Sequence, residues 1–364
     1  MQPFDENLSW LRNLRENIYS FISRMNVNGD FTYFKYSYSG DLYGPNITWG
    51  LGQLVFATKI LFMLDKTNDL TPAHRYNLIN AINSFQTEDG YYSDTFIIKP
   101  SKRRIFLNRF RRTKSSFSYE ALKRAETRQS FAALLALSSK PARPFLHIPK
   151  SEREIDQYLT KLDWKRPSGA ASHFSHLLFF LHYNKVLFGL YEDKADALIE
   201  HAIDWVNKLQ SPEDGCWYRG KVSDLHKTNG AMKIFTGLSA TKRLSFSYPE
   251  RIIDTSLRVA EGKNACNNFN VVYALYCCSK VVNYRTEDIK KFCLSKLNQY
   301  RQYYYEDKGG FSFRLGKAND VYYSARITKG LNEPDIHGTV MFLWGITLIS
   351  AILGLDIELK EPIN

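Results

Sequence analysis

Gln210-Ser211-Pro212-Glu213-Asp214-Gly215-Cys216-Trp217 closes one amphipathic segment and opens the next, and the chain repeats the device twice. Gln86-Thr87-Glu88-Asp89-Gly90-Tyr91-Tyr92 is one further copy, and the looser Tyr305-Glu306-Asp307-Lys308-Gly309-Gly310-Phe311 is the other. Each is an acidic-glycine turn running into an aromatic. Copies spaced by roughly a hundred residues, with only helical pattern between them, mark an internally repeated all-helical architecture.

Between the turns two kinds of helix alternate. Segments 7–24, 72–85, 152–161, 193–209, 249–260 and 287–303 carry apolar residues at three- and four-residue spacing, as in Leu78, Ile79, Ile82 and Phe85, and charge elsewhere. That is the pattern of a helix wetted on one side. Segments 49–64, 128–137, 170–180, 229–240, 267–278 and 339–353 are nearly all apolar, small or hydroxylated, as in a helix buried all round. The alternation predicts an all-α (α/α)6 toroid spanning 1–364 as one domain, with six inner and six outer helices. Thr71-Pro72, Ser151-Glu152, Tyr248-Pro249 and Thr286-Glu287 supply capping residues, first-turn prolines or first-turn acids to the outer set. The inner set is expected to open on Asn46, Thr127-Arg128, Ser172-His173, Lys227-Thr228-Asn229, Asn267-Asn268 and Asp335 to Thr339, where positive helix ends would gather round a shared mouth. Alternating aromatics over 31–43 suggest a small N-terminal arm or hairpin.

Composition narrows the ligand class without naming it. Hydrophobic residues make up 44% and aromatics 15%, enough for a large aromatic-rich core, and the formal charge of +12 favours an anionic partner. The odd number of cysteines (Cys216, Cys266, Cys277, Cys278, Cys293) without CxxC spacing reads as buried small hydrophobes. No signal peptide is evident at Met1 to Glu6, so a cytoplasmic protein is expected, and the Asn46-Ile47-Thr48 sequon is taken as a chance match. Segment 99–114 interleaves Lys102, Arg103, Arg104, Arg109, Arg111 and Arg112 with Ile105, Phe106, Leu107 and Phe110. Such a basic amphipathic insertion suits a solvated loop or a peripheral contact at the inner membrane. Nucleic acid is not an expected partner, since no recognition module is present.

Chemistry-bearing residues are densest at Gly309-Gly310-Phe311-Ser312-Phe313-Arg314-Leu315-Gly316-Lys317-Ala318-Asn319-Asp320-Val321-Tyr322-Tyr323. This stretch resembles the repeat of protein prenyltransferase β subunits and, more distantly, of squalene-hopene (terpene) cyclases. The resemblance implies that Arg314 and Lys317 grip an isoprenoid diphosphate and that Asp320 would be a zinc ligand. Tyr322 stands where the zinc cysteine should be, so zinc and thiol prenylation are not expected. No cofactor is anticipated beyond magnesium accompanying a bound diphosphate.

Asp335-Ile336-His337-Gly338-Thr339 is the second cluster and resembles the acid motif of class II terpene cyclases with His337 and Gly338 in two of its places. An imidazolium is too weak an acid for protonating an alkene, which leaves Asp335 and His337 for gentler acid/base work. Glu333 and Asp320 complete the candidate carboxyls. Arg326, Lys329, Tyr322, Tyr323, Arg128, His226, Lys227, Asn229 and Trp49 are candidate substrate contacts. His173 and His176 share a helix face and also count as substrate contacts, a metal pair being the minor reading. Three functions fit: a prenyltransferase or cyclase-like enzyme on an anionic, lipid-linked or isoprenoid substrate; a carbohydrate-active hydrolase, lyase or epimerase; and a non-catalytic scaffold with a basic face. Oligomeric state is left open.

Overall fold

Burial sorts the helices into the two kinds that the hydrophobic pattern separates. The computed structural model describes residues 6–44, 49–94, 119–259, 262, 264–323 and 325–363; the basic insertion and Asn46 lie outside them. The one-faced set is α1 (Leu14–Met25), α3 (Pro72–Asn83), α5 (Glu152–Thr160), α7 (Ala195–Asn207), α9 (Pro249–Leu257) and α11 (Thr286–Arg301). The fully buried set is α2 (Leu51–Met63), α4 (Tyr119–Ala136), α6 (Pro167–Phe188), α8 (Asp224–Ala240), α10 (Ala265–Ser279) and α12 (Ile336–Leu353). α5 buries only Ile155 and Leu159, whereas α2 buries every residue but Phe62. The protein is therefore mainly helical, with four two-residue strands among the described residues: β1 (Tyr304–Tyr305), β2 (Gly310–Phe311), β3 (Val321–Tyr322) and β4 (Ala325–Arg326).

Contacts run in series through the buried set. α2 packs on α4, α4 on α6, α6 on α8, α8 on α10, α10 on α12, and α12 packs on α2. The one-faced helices lie against them, as α7 does against α6 and α9 against α10. Residue pairs give the directions. Pro167 meets Gly230 and Ser175 meets Gly237, so α6 and α8 run parallel; a Cβ on Gly237 would stand 2.8 Å from the Ser175 Cα, which is why both contacts use glycine. His337 stacks on Phe56 and Trp344 faces Lys59, so α12 and α2 are parallel too. α12 is long and apolar enough to cross a membrane, with mean hydropathy 1.8, yet 72% of it is buried among its neighbours.

The three acidic-glycine turns share a positive-φ glycine set against a carbonyl and a buried aromatic, and pairs of them share further bonds. Gln86 Nε2 and Gln210 Nε2 each donate to the glycine carbonyl of their own turn and to a carbonyl of the segment ahead of a later helix, Arg143 O and Ser247 O. Gly90, Gly215 and Gly309 all have positive φ, and a Cβ would collide with Pro144 O, Tyr248 O and Asn17 O respectively. The following aromatics, Tyr92, Trp217 and Phe311, are wholly buried. A threonine in the next buried helix fastens two of them: Thr127 Oγ1 accepts from Tyr92 N and Thr339 Oγ1 from Phe311 N.

Several boundaries differ from the sequence reading. Thr127-Arg128 does not open a helix but lies in the middle of α4, because Ala121, Leu122, Lys123, Arg124 and Glu126 extend it backwards with strong helix formers. Ser172-His173 and Asn229 are likewise internal; α6 starts on Pro167 and α8 on Asp224. Segment 7–24 is a 3-10 turn (Glu6–Leu11) followed by α1. Tyr322 and Tyr323 belong to the β3–β4 hairpin rather than to a helix start. The 31–43 segment is an arm: its Tyr36 O accepts from Ile336 N and its Tyr38 N donates to Pro334 O, which ties it to the approach of α12.

Candidate functional site

The three candidate carboxylates of the C-terminal region are already engaged. Asp335, wholly buried, caps α12: Oδ1 accepts from Gly338 N at 2.8 Å, and Oδ2 from Phe313 N at 2.7 Å and Asn319 N at 2.9 Å. Burial pushes its carboxyl up to about 7 against the pull of those backbone donors. Glu333 binds the Ser39 amide at 3.0 Å and hydroxyl at 2.7 Å, fastening the arm. Asp320 accepts from Arg314 Nη1 and Lys317 Nζ, both at 2.8 Å; burial would raise its carboxyl, and the two cations outweigh that and lower it. The cations expected to grip a diphosphate thus share one carboxylate, with side chains 42% and 43% exposed. Arg326 and Lys329 are exposed nearby.

Other expected contacts also have protein partners. His226 is exposed and bonds Ser223 Oγ at 3.1 Å. Lys227 donates to Asp214 at 2.7 Å and sits over Tyr218, bracing the second turn. Asn229 Oδ1 accepts from Asn270 Nδ2 at 2.8 Å, linking α8 to α10. Trp49 packs its ring on Tyr33 and Tyr43 ahead of α2. His173 Nδ1 meets Tyr158 OH at 2.7 Å, and His176 Nδ1 accepts from Arg124 Nε at 3.2 Å. Burial and the Arg124 charge bring His173 down to about 3, and the same causes hold His176 well below its ordinary value. Among the described residues no group of three or more His, Cys, Asp or Glu comes together to hold a metal.

A different set has no counter-charge among the described residues. Lys59 is the ninth residue of α2, Arg128 the tenth of α4, His176 the tenth of α6, Lys233 the tenth of α8, Tyr273 the ninth of α10 and Trp344 the ninth of α12. Each fully buried helix thus carries one polar or aromatic residue at its ninth or tenth position. Lys59 and Arg128 are each 5% exposed, and Lys233 is half-buried. Burial and the charges of Arg128 and Lys233 bring the Lys59 ammonium down to about 7. Burial also lowers Arg128 and Lys233. Arg128 lies 5.1 Å over the Phe179 ring, and its Nε and Nη2 are buried with no hydrogen-bond partner among the described residues. Lys59 Nζ donates to Gln129 Oε1 and faces Trp344 at 5.8 Å. Among the described residues, no carboxylate is among the charges that act on these three cations.

Nearer the helix N-termini a layer of hydrogen-bonded aromatics covers the cations. Asn319 Nδ2 donates to Tyr36 OH at 3.0 Å, and Tyr36 OH lies 3.1 Å from His337 Nδ1. With its oxygen accepting from Asn319, Tyr36 donates to Nδ1, so the imidazole carries its proton on Nε2. Burial lowers His337 to about 3, which makes it a neutral hydrogen-bond donor at pH 7. Its ring stacks on Phe56 at 4.7 Å. Tyr322 reaches down from the β3–β4 hairpin to donate to Glu126 Oε1 at 2.6 Å. Burial lifts the Glu126 carboxyl to about 7, with Tyr322 and Tyr323 holding it back.

No family model matches the chain, and neither a curated protein nor a solved structure is significantly similar to it. The site therefore has to be read from its own chemistry. Lys59, Lys233 and Glu126 were not expected from the sequence, although the signal is present: a lone lysine inside Leu54-Val55-Phe56-Ala57-Thr58-Lys59-Ile60-Leu61, or inside Ala231-Met232-Lys233-Ile234-Phe235, sits in a helix with no wet face.

Proposed function

We propose that the chain is an (α/α)6 toroid of the prenyltransferase and terpene-cyclase kind, and an enzyme that binds an anionic substrate, most simply a phosphoryl or diphosphate group, at the Lys59, Arg128 and Lys233 layer. Support for the toroid comes from the series of buried parallel helices in which α12 packs on α2, and from the third turn, whose Gly309 rests on α1. The observation that carries the function is Arg128. Its Nε and Nη2 form one edge of the guanidinium, both unpartnered, and that edge is the fork that two oxygens of a phosphate or carboxylate satisfy together. A buried cation without a counter-charge is costly, and an anionic ligand removes the cost.

Roles follow from position. Arg128 receives the anion bidentately while Lys59 and Lys233 flank it from α2 and α8. Glu126, titrating near neutrality and hydrogen-bonded to Tyr322, is suited to give or take a proton on the substrate. His337, fixed by Tyr36, offers Nε2–H as a donor to a substrate oxygen. An isoprenoid diphosphate is the substrate class that the resemblance implies. Isothermal titration with inorganic pyrophosphate tests the reading: one equivalent binds the wild-type chain, and Arg128→Met loses the binding while keeping the native circular dichroism. Equal affinity in wild type and Arg128→Met would end the proposal.

A further inference from the structure

Beside the cation layer, at the C-terminal ends of α8 and α10 and against the middle of α12, lies a cavity of about 420 Å³, a volume typical of small-molecule sites. Tyr273, Tyr276 and Trp344 wall it, and Lys242 and Lys280 line it. The Tyr273 and Trp344 rings meet edge to face at 5.9 Å, a fixed aromatic corner. One carboxylate already sits there, and it belongs to the chain itself. Glu361, in the tail after α12, accepts from Tyr276 OH and lies 3.4 Å from Lys280 Nζ, while Lys280 also stands 4.2 Å over the Tyr276 ring.

We propose that this cavity is a second ligand site, for a small aromatic carboxylic acid, and that Glu361 occupies its acid-binding corner in the absence of ligand. A phenolic O–H and an ammonium directed at one carboxylate are what a free acid requires, and the three aromatic walls accept a flat ring beside it. The tail can yield the corner locally. Lys360 N donates to Met63 O at 2.8 Å, so the segment stays anchored while Glu361 and Pro362, without regular secondary structure, swing aside. Tyr273 and Trp344 border both this cavity and the cation layer, but Lys59, Arg128 and Lys233 do not line it, so the two sites hold their anions on different cations.

Benzoate is the probe, titrated calorimetrically into the full-length chain. Neutralising the competing side chain with Glu361→Gln should tighten benzoate binding about tenfold, and Lys280→Met should weaken it by a similar factor. Ser239→Trp, which fills the cavity, should abolish it, and Arg128→Met should leave it unchanged. Benzyl alcohol, lacking the charge, should gain nothing from Glu361→Gln. Binding seen only in Glu361→Gln supports the inference, since it means that the tail outcompetes the probe. Equal affinity in wild type and Glu361→Gln, full affinity in Lys280→Met or Ser239→Trp, or no binding to any variant overturns it.

Discussion

Two basic groups in this molecule have opposite fates. Arg314 and Lys317 lie close in sequence, keep 42% and 43% of their side chains exposed, and share Asp320 between them. Lys59, Arg128 and Lys233 come from three different helices, meet in the interior, and have no carboxylate acting on them among the described residues. The first group is conspicuous as a motif and locally satisfied. The second is invisible as a motif and locally costly. Cost is the better guide to function here, because a surface pair is nearly neutral in energy whereas a buried uncompensated charge persists only with a reason.

The largest expected effect tests that contrast directly. If the interior layer holds the anion, Arg128→Met should weaken pyrophosphate about 100-fold, the worth of two charge-assisted hydrogen bonds. The double variant Arg314→Met, Lys317→Met should stay within about twofold of wild type in the same titration. Reversal of the two results would return the site to the C-terminal motif.

Stability separates the groups next. Lys59→Met keeps the aliphatic stem and removes a charge that Arg128 and Gln129 of α4, Lys233 of α8 and Trp344 of α12 all face, so the ligand-free variant should be more stable by about 1–4 kcal/mol at pH 6. Denaturant unfolding measures it. The Lys59 ammonium falls from its ordinary value to about 7 in the folded chain. Between pH 7 and the usual lysine range the unfolded chain therefore binds the extra proton, and wild-type stability rises with pH. The advantage of Lys59→Met should accordingly shrink as pH rises above 7 and be constant below it. A gap independent of pH would mean that Lys59 is neutralised by something else.

How much of this was legible in the sequence depends on whether the signal was periodic or relational. Alternation of one-faced and fully apolar helices is periodic, and it identified the mainly helical architecture and most of the helices, because burial on one side or all sides writes itself into spacing. The turns were legible for the same reason, each needing a glycine where a Cβ would strike a carbonyl. Helix starts were less so: hydrophobicity says nothing of the polar first turns of α4, α6 and α8. One internal repeat was legible only as a shared kind of helix opening. Asp224-Leu225-His226-Lys227-Thr228 copies Asp335-Ile336-His337-Gly338-Thr339, yet His226 is exposed beside Ser223 while His337 is stacked on Phe56 under Tyr36. The same residues acquire different chemistry because the 31–43 arm covers only one of them. Relations of that kind, like the meeting of Lys59, Arg128 and Lys233, exist only after packing.

The smallest expected effect concerns Asp320, and it probes whether the surface cations are satisfied or merely masked. Asp320→Asn removes one exposed-side ion-pair partner, so the cost should be below about 1 kcal/mol in denaturant unfolding. The carboxyl is held below its ordinary value, which means that its contribution is present at neutral pH and fades as the solution becomes acidic, so wild type and variant should converge at low pH. Pyrophosphate binding supplies the sharper reading. Placed in the Arg128→Met background, Asp320→Asn leaves Arg314 and Lys317 without their shared carboxylate, and any titratable pyrophosphate heat would come from them. Silence in that double variant would mean that two cations on a wet surface do not make an anion site, and that the enclosure around Arg128 is what the interior layer adds.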